Sequence, residues 1–350
     1  MHVNRTPRIA FVTLGCAKNE VDTDKMQARL AAAGFSIVDD VDDADLVIVN
    51  TCAFLASAVE EGLEVIFDLV GRENAAGREL KVLVAGCMPA RYGDDLAAEL
   101  VEAAGFLAAD DEDNVVEEVT RLLDGDVSLV RADRSLIRHA YPTSAYVKIS
   151  DGCDRFCSYC MIPHIRGRYR SYPLSRIDDE VAELVCNGVR EIVLIGQDTG
   201  IWGHDFEEPS TTATLVRTLA HRYPDTWFRL LYVQPEGIDD ELLDVIATYP
   251  NVCPYLDMPL QHVNAEALAR MNRSGNAKDI LALLDHVRDR VPDIKIRTTL
   301  MAGFPGETEE QFEELLDFVD EAGFDYAGVF AFSPEEGSAA YGLDGQIDDD

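Results

Sequence analysis

Short apolar runs alternate with amphipathic helical segments along most of the chain, and this alternation constrains the fold more than any other feature. In the first part, RIAFVTLG, DLVIVNT and LKVLVAG have the length and composition of buried strands. They are followed by EVDTDKMQARLAAAG, AFLASAVEEGLEVIFDLV and PARYGDDLAAELVEAAG, whose apolar residues recur at helical spacing. Buried strands separated by such helices predict an α/β domain in which helices cover both faces of a parallel sheet.

The alternation restarts after an acidic stretch, from Asp110 to about Tyr141, that contains one helical segment, NVVEEVTRLLDG. Six further strands are predicted, with helical segments between them, at SAYVKIS, EIVLIG, WFRLLYV, VCPYLDM, IKIRTTLMAG and DYAGVFAF. Six such units predict a partial (β/α)6 TIM-like barrel, smaller than the full eight. We therefore predict domains over residues 1–125 and 141–335, a linker over 126–140 and an acidic tail over 336–350. We expect the end of that tail, GLDGQIDDD, to be disordered or truncated.

Net charge and cysteine content limit the partners and the compartment. The formal net charge is −35, from 65 acidic and 30 basic residues, which disfavours nucleic acid binding and suits a basic protein partner. The same acidity also fits a simple solubility requirement. No apolar run approaches the roughly 20 residues that span a bilayer, and the apolar core of RIAFVTLGCA is shorter than the roughly 7 residues of a signal peptide. A cytoplasmic, reducing location is predicted, where clustered cysteines indicate metal binding or catalysis.

Three of the eight cysteines follow the three predicted strands of the first domain: Cys16, Cys52 and Cys87. Ligands of an open parallel sheet bind outside the carboxyl ends of its strands, so we expect these thiols to converge on one edge. The alternative is three separate buried cysteines, because free cysteine is among the most buried residue types.

A second trio occupies one loop, SDGCDRFCSYC, directly after the first strand of the second domain. Its C-x3-C-x2-C spacing makes Cys153, Cys157 and Cys160 a multidentate thiolate ligand for an iron–sulfur cluster or zinc. Zinc with His164 as a fourth ligand, or a disulfide beside a spare thiol, remain alternatives. Cys186 and Cys253 belong to neither trio and are interpreted as packing residues.

The C-x3-C-x2-C loop, with Tyr159 before its last cysteine, resembles the radical S-adenosylmethionine enzymes. The resemblance implies a [4Fe–4S] cluster on the second trio, with one iron open to S-adenosylmethionine and Tyr159 near the adenine. LIGQD, with Gly196, Gln197 and Asp198, and AGFPGET, with Gly303, resemble cofactor-contact loops of these enzymes. Glycine in such loops permits close approach of the backbone to a ligand.

The first trio narrows the resemblance to the methylthiotransferases, in which it implies a second [4Fe–4S] cluster that carries the sulfur to be transferred. The segments GCAKNEVDTD, LLYVQPEGI and YLDMPLQHVNAEALARMNR resemble the branch that modifies ribosomal protein uS12. That branch uses a 5′-deoxyadenosyl radical to abstract hydrogen from the β-carbon of an aspartate, and a second S-adenosylmethionine supplies the methyl group. The implied partners are uS12, a basic protein, and an electron donor such as flavodoxin or ferredoxin. The sulfur donor is not implied.

Several residues bear on the choice between this function and its rivals. His262, in PLQH, favours the uS12 branch over the methylthiotransferases that act on tRNA adenosine, although a plain core histidine fits the same position. Arg166, Arg168 and Arg170, in HIRGRYR, are suited either to clamping a cofactor or substrate carboxylate or to pairing with nearby acids. A non-enzymatic iron–sulfur electron carrier or zinc module is the remaining alternative.

Three departures from the branch's pattern stand out. Ala17 replaces a proline that is usual in the branch, and Tyr172 replaces an arginine. The chain also stops before the small β-rich TRAM domain with which these proteins normally end, so we expect a fragment of a longer protein.

Overall fold

The computed structural model describes residues 6–123 and 143–347, which form two compact units. The first unit comprises residues 1–140 together with His164–Arg166, and the second comprises residues 141–163 and 167–350. The predicted linker, residues 126–140, and the predicted boundary at residue 125 lie outside the described residues.

The first unit is built on a five-stranded sheet in which every neighbouring pair of strands is parallel, in the order β2-β1-β3-β4-β5. Its strands are β1 Arg8–Thr13, β2 Ser36–Ile37, β3 Leu46–Thr51, β4 Lys81–Gly86 and β5 Gly105–Ala108. Its helices are α1 Ala17–Ala33, α2 Ala56–Leu69, α3 Cys87–Glu99 and α4 Val115–Leu122. All six residues of β3 are buried, as expected for a central parallel strand between two helical layers.

The second unit contains six parallel strands and a short antiparallel pair of strands. Its strands are β6 Ser144–Lys148, β7 Ser150–Asp151, β8 Arg170–Ser171, β9 Glu191–Ile195, β10 Trp227–Leu230, β11 Tyr255–Gln261, β12 Lys295–Ala302 and β13 Tyr326–Ala331. Its helices are α5 Ile162–Ile165, α6 Leu174–Cys186, α7 Thr212–Arg222, α8 Asp240–Thr248, α9 Ala265–Arg270, α10 Ala277–Arg290 and α11 Glu309–Ala322. The antiparallel pair β7–β8 begins and ends the segment that carries the second cysteine trio.

The six parallel strands follow one another in chain order, as in a barrel wall. β6, β9 and β10 form one three-stranded sheet, and β11, β12 and β13 form another. Backbone bonds from Cys253 N to Phe228 O, 2.8 Å, and from Val233 N to Asp257 O, 2.9 Å, join the two sheets. The predicted α/β class, with a parallel-sheet domain and a partial barrel, is therefore confirmed.

Some local predictions are wrong, for identifiable reasons. The strands β2 and β5 are missing from the prediction because two and four residues give too little pattern. VCPYLDM was predicted as a strand, whereas β11 begins at Tyr255, after Pro254, which has no N–H to donate. β11 also continues past Pro259, where the ladder shifts register, because proline is tolerated in a strand at a bulge.

The end of the second unit is ordered through residue 347, so the prediction of disorder is wrong for residues 342–347. Ala340 is fully buried, and its N–H donates to the carbonyl of Ser158 at 2.8 Å. Gly306 N donates to Gly345 O at 2.8 Å, and the Gln346 amide donates to Ala340 O at 3.0 Å. These bonds hold the segment against the barrel despite its acidic composition.

Candidate functional site

The first cysteine trio lies at the carboxyl ends of three neighbouring strands. Cys16 precedes α1 just beyond β1, Cys52 directly follows β3, and Cys87 begins α3 directly after β4. Since β1, β3 and β4 are adjacent in the sheet, the structure brings the three thiols to one edge. Burial, and then the charge of Cys16, raise the pKa of Cys52. Burial raises the pKa of Cys87 to about 11, and the charges of Cys52 and Cys16 add to the shift.

Glycines with positive φ place cysteines in both trios. Gly15, at φ 94°, precedes Cys16, and a Cβ added there would lie 2.6 Å from Cβ of Cys52. Gly152, at φ 73°, precedes Cys153, and a Cβ there would collide with the backbone carbonyl of Arg168. Only glycine adopts this backbone without strain and leaves room for the neighbouring chain.

Arg166, counted within the first unit, lies against the first trio. One Nη of its guanidinium donates to Asn19 Oδ1 at 2.8 Å and to Cys87 Sγ at 3.4 Å, while the other donates to Asp22 Oδ2 at 2.7 Å. The side chains of Arg166 and Asp22 are 3% and 1% exposed. The sequence predicts that Arg166 clamps a cofactor or substrate carboxylate or pairs with nearby acids, and the structure shows hydrogen bonds from its guanidinium to Asp22, Asn19 and Cys87.

The second trio occupies the loop between β7 and α5. Cys153 N donates to Gly167 O at 3.2 Å and Cys160 N donates to Cys157 O at 3.0 Å, which folds the loop back on itself. Burial raises the pKa of Cys153, and it raises that of Cys160 to about 12. In both cases the charge of Cys157 adds to the shift.

Tyr159 lies beside the second trio in an apolar pocket with Met271, Phe304, Ala340 and Phe332. Burial, and then the charge of Cys157, raise the pKa of its hydroxyl. A guanidinium N–H of Arg273 donates to Tyr159 Oη at 3.4 Å, and Arg273 also donates to Gln234 Oε1 at 2.6 Å. This arginine is a residue that the sequence reasoning missed, since it lies 114 residues from Tyr159.

Two buried oxygens follow β9, in the LIGQD loop. Gln197 Oε1 and Asp198 Oδ1 accept no hydrogen bond from any described residue. Asp198 is fully buried, and its other oxygen accepts from Arg155 Nε at 2.6 Å. Burial raises the pKa of Asp198 despite the Arg155 guanidinium, which lowers it. At Gly196 an added Cβ would collide with Oγ of Ser150, so the backbone there is closely packed.

His262 and Gly303 belong to one buried hydrogen-bond network. His262 is fully buried, and its Nδ1 accepts from Val263 N and Asn264 N, both at 2.9 Å. Its Nε2 therefore carries the proton and donates to Glu307 Oε1 at 3.0 Å. Glu307 Oε2 accepts from Gly303 N at 2.5 Å. The structure thus places His262 behind the AGFPGET loop, where it supports the turn at Gly303, φ 77°.

Tyr172, which departs from the expected arginine, has a defined environment. Its hydroxyl donates to Asp151 Oδ2 at 3.4 Å, and the guanidinium carbon of Arg176 lies 3.9 Å from its ring centroid. Asp151 also accepts from Lys148 Nζ at 3.1 Å and from the Gln197 amide at 3.0 Å. A guanidinium, that of Arg176, therefore lies beside this position.

The donor sets fit iron–sulfur clusters better than single ions. All eight cysteines of the chain lie within the described residues and are free thiols. In residues 6–123 and 143–347, no three His, Cys, Asp or Glu side chains are arranged to hold one metal ion. Thiolates that ligate a cluster bind different irons, and so lie further apart than the ligands of one ion. A [4Fe–4S] cluster ordinarily has four cysteine ligands, so a cluster bound by only three thiolates would leave one iron open. The unpartnered oxygens of Gln197 and Asp198 suit the amine and hydroxyl donors of a nucleoside cofactor.

Two family models match the chain. The radical SAM superfamily matches residues 147–319, and a family described as uncharacterized protein family UPF0004 matches residues 8–108. A protein named "Ribosomal protein uS12 methylthiotransferase RimO" from Syntrophus aciditrophicus is 42% identical over 98% of this chain and 78% of its own length. Its counterpart from Geobacter sulfurreducens is 42% identical over 98% of this chain and 79% of its own length.

This chain belongs to the RimO family of radical S-adenosylmethionine methylthiotransferases. It is an S-adenosylmethionine-dependent transferase that uses an iron–sulfur cluster.

A solved structure shares the fold of this RimO family member. The radical S-adenosylmethionine methyltransferase TsrM from Kitasatospora setae, with cobalamin and a [4Fe–4S] cluster bound, aligns with a TM-score of 0.68. The alignment covers 93% of this chain and 75% of the methyltransferase at 17% identity, so the similarity concerns the fold alone. Among the described residues, no helix combines the length and apolarity that crossing a bilayer requires.

Proposed function

We propose that the chain methylthiolates the β-carbon of an aspartate in ribosomal protein uS12. The observation that carries this proposal is the 39–42% identity, over 98% of the chain, to four proteins named uS12 methylthiotransferases. All six cysteines that the resemblance assigns to the two clusters are present in this chain. This supports the same chemistry as in the methylthiotransferases.

Each trio is assigned a [4Fe–4S] cluster. Cys153, Cys157 and Cys160 would hold one, and Cys16, Cys52 and Cys87 the other. When bound, the cluster on the second trio supplies, with S-adenosylmethionine, the radical that removes hydrogen from an unactivated carbon, and the cluster on the first trio supplies the sulfur. No side chain acid, base or nucleophile breaks such a bond readily, which is why cofactors are required.

The chain's own residues bind and orient S-adenosylmethionine in this proposal. Gln197 Oε1 and Asp198 Oδ1 would accept hydrogen bonds from its polar groups, because both oxygens are buried and otherwise unpartnered among the described residues. Arg155 fixes the orientation of Asp198 through its 2.6 Å bond. Tyr159 would contact the adenine, and the turn at Gly303 lets the backbone approach it.

The predicted partners and location follow from charge and redox chemistry. A basic substrate is attracted to a chain with a net charge of −35. Low-potential chemistry needs an electron donor such as flavodoxin or ferredoxin, and free thiols suit a cytoplasmic, reducing compartment. We also propose that the first domain ends at residue 125, that the linker ends at residue 140 and that the second domain ends at residue 335.

Cluster content tests the two-cluster assignment. After anaerobic reconstitution we expect about eight irons per chain, four for each cluster. Cys16→Ala should lose about half of the iron and keep S-adenosylmethionine cleavage, whereas Cys153→Ala should abolish cleavage. Cys186→Ala, which alters an exposed cysteine outside both trios, is the matched control. Tightly bound zinc, with no cleavage of S-adenosylmethionine, would reject the proposal that the chain is a radical enzyme.

Substrate identity is tested separately. The reconstituted enzyme is incubated with a uS12 peptide containing the aspartate and, in parallel, with tRNA. Mass spectrometry should show a methylthio increment on the peptide that disappears in both Cys16→Ala and Cys153→Ala. An increment on tRNA alone would replace this proposal with tRNA methylthiolation.

A further inference from the structure

Arg166 is a buried cation beside the first trio. Its side chain is 3% exposed, and burying a guanidinium is costly unless its N–H groups are paired. Asp22 and Asn19 provide that pairing from α1, the helix that follows Cys16. Both anchors are themselves buried, at 1% and 0% exposure.

The anchors fix where the remaining N–H of the guanidinium points. The group is a rigid planar fork, so holding one nitrogen at Asp22 and the other at Asn19 determines its plane. In that plane, the nitrogen that donates to Asn19 also lies 3.4 Å from Cys87 Sγ and donates its other N–H to that sulfur. Asn19 itself is fixed from behind, because its amide donates to Leu14 O at 2.9 Å and to Thr51 O at 3.0 Å.

We propose that Arg166 is a positioning residue for the cluster on the first trio: it donates an N–H···S hydrogen bond to Cys87 and raises the reduction potential of that cluster. The proposal rests on the two-cluster function above. It assigns Arg166 to the first trio although the arginine follows the second trio in sequence.

The direction of the effect follows from charge. Reduction adds an electron to a cluster that already carries thiolate charge, so a nearby positive group and hydrogen bonds to sulfur favour the reduced form. Glu112 Oε1, 4.0 Å from the guanidinium, and Asp22 moderate this field. The directed N–H···S bond is therefore the larger part of what Arg166 contributes.

For the test, the cluster on the second trio is removed by replacing Cys153, Cys157 and Cys160 with alanine. This leaves the cluster on the first trio as the only one to be measured. In this background, Arg166→Gln removes the positive charge and the planar set of guanidinium N–H donors. Arg166→Lys keeps the positive charge but not that planar set of donors. Arg72→Gln is the control. Arg72 belongs to the same unit and pairs with Asp68 at the surface, 3.7 Å away. Iron content, thermal unfolding and the midpoint potential, by electron paramagnetic resonance titration, are measured for each.

We expect Arg166→Gln to lower the equilibrium constant for reduction tenfold, which corresponds to a midpoint potential lower by 59 mV for one electron. Arg166→Lys should lie between Arg166→Gln and the parent, and Arg72→Gln should match the parent. Loss of iron in both Arg166 variants, with an unchanged unfolding temperature and full iron content in Arg72→Gln, would support the hydrogen bond to Cys87 as the contact that positions the cluster. An assembled cluster with an unchanged potential in Arg166→Gln would overturn it. Absence of a cluster in the parent background would instead overturn the two-cluster function, and this inference with it.

Discussion

Three cysteines, Cys16, Cys87 and Cys153, directly follow a glycine with positive φ. A left-handed residue turns the chain sharply as it leaves a strand, so the next side chain can point across the strand ends. The position before such a cysteine is therefore constrained as tightly as the cysteine itself, although it carries no chemistry.

Gly15→Ala is expected to disturb the first trio. The backbone strain at φ 94° costs on the order of 1–3 kcal/mol, and the new methyl would press on Cβ of Cys52, 2.6 Å away. Thermal unfolding and iron content measure the two effects. Gly71→Ala is the matched control, because its φ is 75° and nothing lies within 4 Å of the added Cβ. Equal losses of stability and iron in the two variants would contradict the steric part of the argument.

The site residues that sequence reasoning found either lie close together in the chain or directly follow predicted strands. The loop of Cys153, Cys157 and Cys160 is visible because its ligands are neighbours in the chain. Arg155 and Asp198 are separated by 43 residues, and their ion pair exists only once β6 and β9 are paired in the barrel. A single sequence carries no signal for such a pair.

The strand–helix elements followed closely from hydrophobic periodicity, since burial on a sheet or helix face is a local pattern. Their ends did not, because they depend on tertiary bonds. α3 begins at Cys87 rather than Pro89, as Met88 N finds an acceptor in Thr51 Oγ1 at 3.2 Å. β11 continues past a proline because a register shift accommodates it.

One carboxylate joins the last elements of the barrel. Asp325, just before β13, accepts from Ile296 N of β12 at 2.9 Å and pairs with Lys295 Nζ at 3.0 Å. The backbone hydrogen bond from Ile296 is the main cause that lowers its pKa below the ordinary 3.8.

The acid stability of the barrel should reflect this carboxylate. A group whose pKa is lower in the folded state stabilises the fold above its unfolded pKa, and this stabilisation is lost as pH falls through the folded value. Asp325→Asn should therefore reduce stability at neutral pH and make the decline below pH 3.8 shallower. Urea unfolding at a series of pH values measures this. Parallel curves for the variant and the parent would contradict it.

At the scale of the whole molecule, charge is the dominant surface property. With 65 acidic and 30 basic residues, the chain has a field that steers a basic partner toward it and repels phosphate backbones. Composition alone predicts this property, since it does not depend on where each residue lies.

Association with the proposed substrate should therefore depend on salt. Raising ionic strength from about 0.01 M to about 0.15 M shortens the Debye length from roughly 30 Å to roughly 8 Å, and we expect the association rate with uS12 to fall at least about tenfold. Stopped-flow fluorescence measures this rate, and a charge-neutral peptide with the same aspartate is the control. Equal salt dependence for the two substrates would exclude electrostatic steering.

The bond between Ala340 and Ser158 has a consequence for the order in which the protein matures. The strands that carry the first trio are complete once residue 86 has been made, whereas the bond from Ala340 to Ser158, in the loop of the second trio, needs residue 340. Translation at 5–20 residues per second separates Cys160 from Ala340 by roughly 10–40 s. During that interval the loop lacks this bond, so we expect the three thiols of the second trio to be more accessible to oxidants and metal ions than in the complete chain.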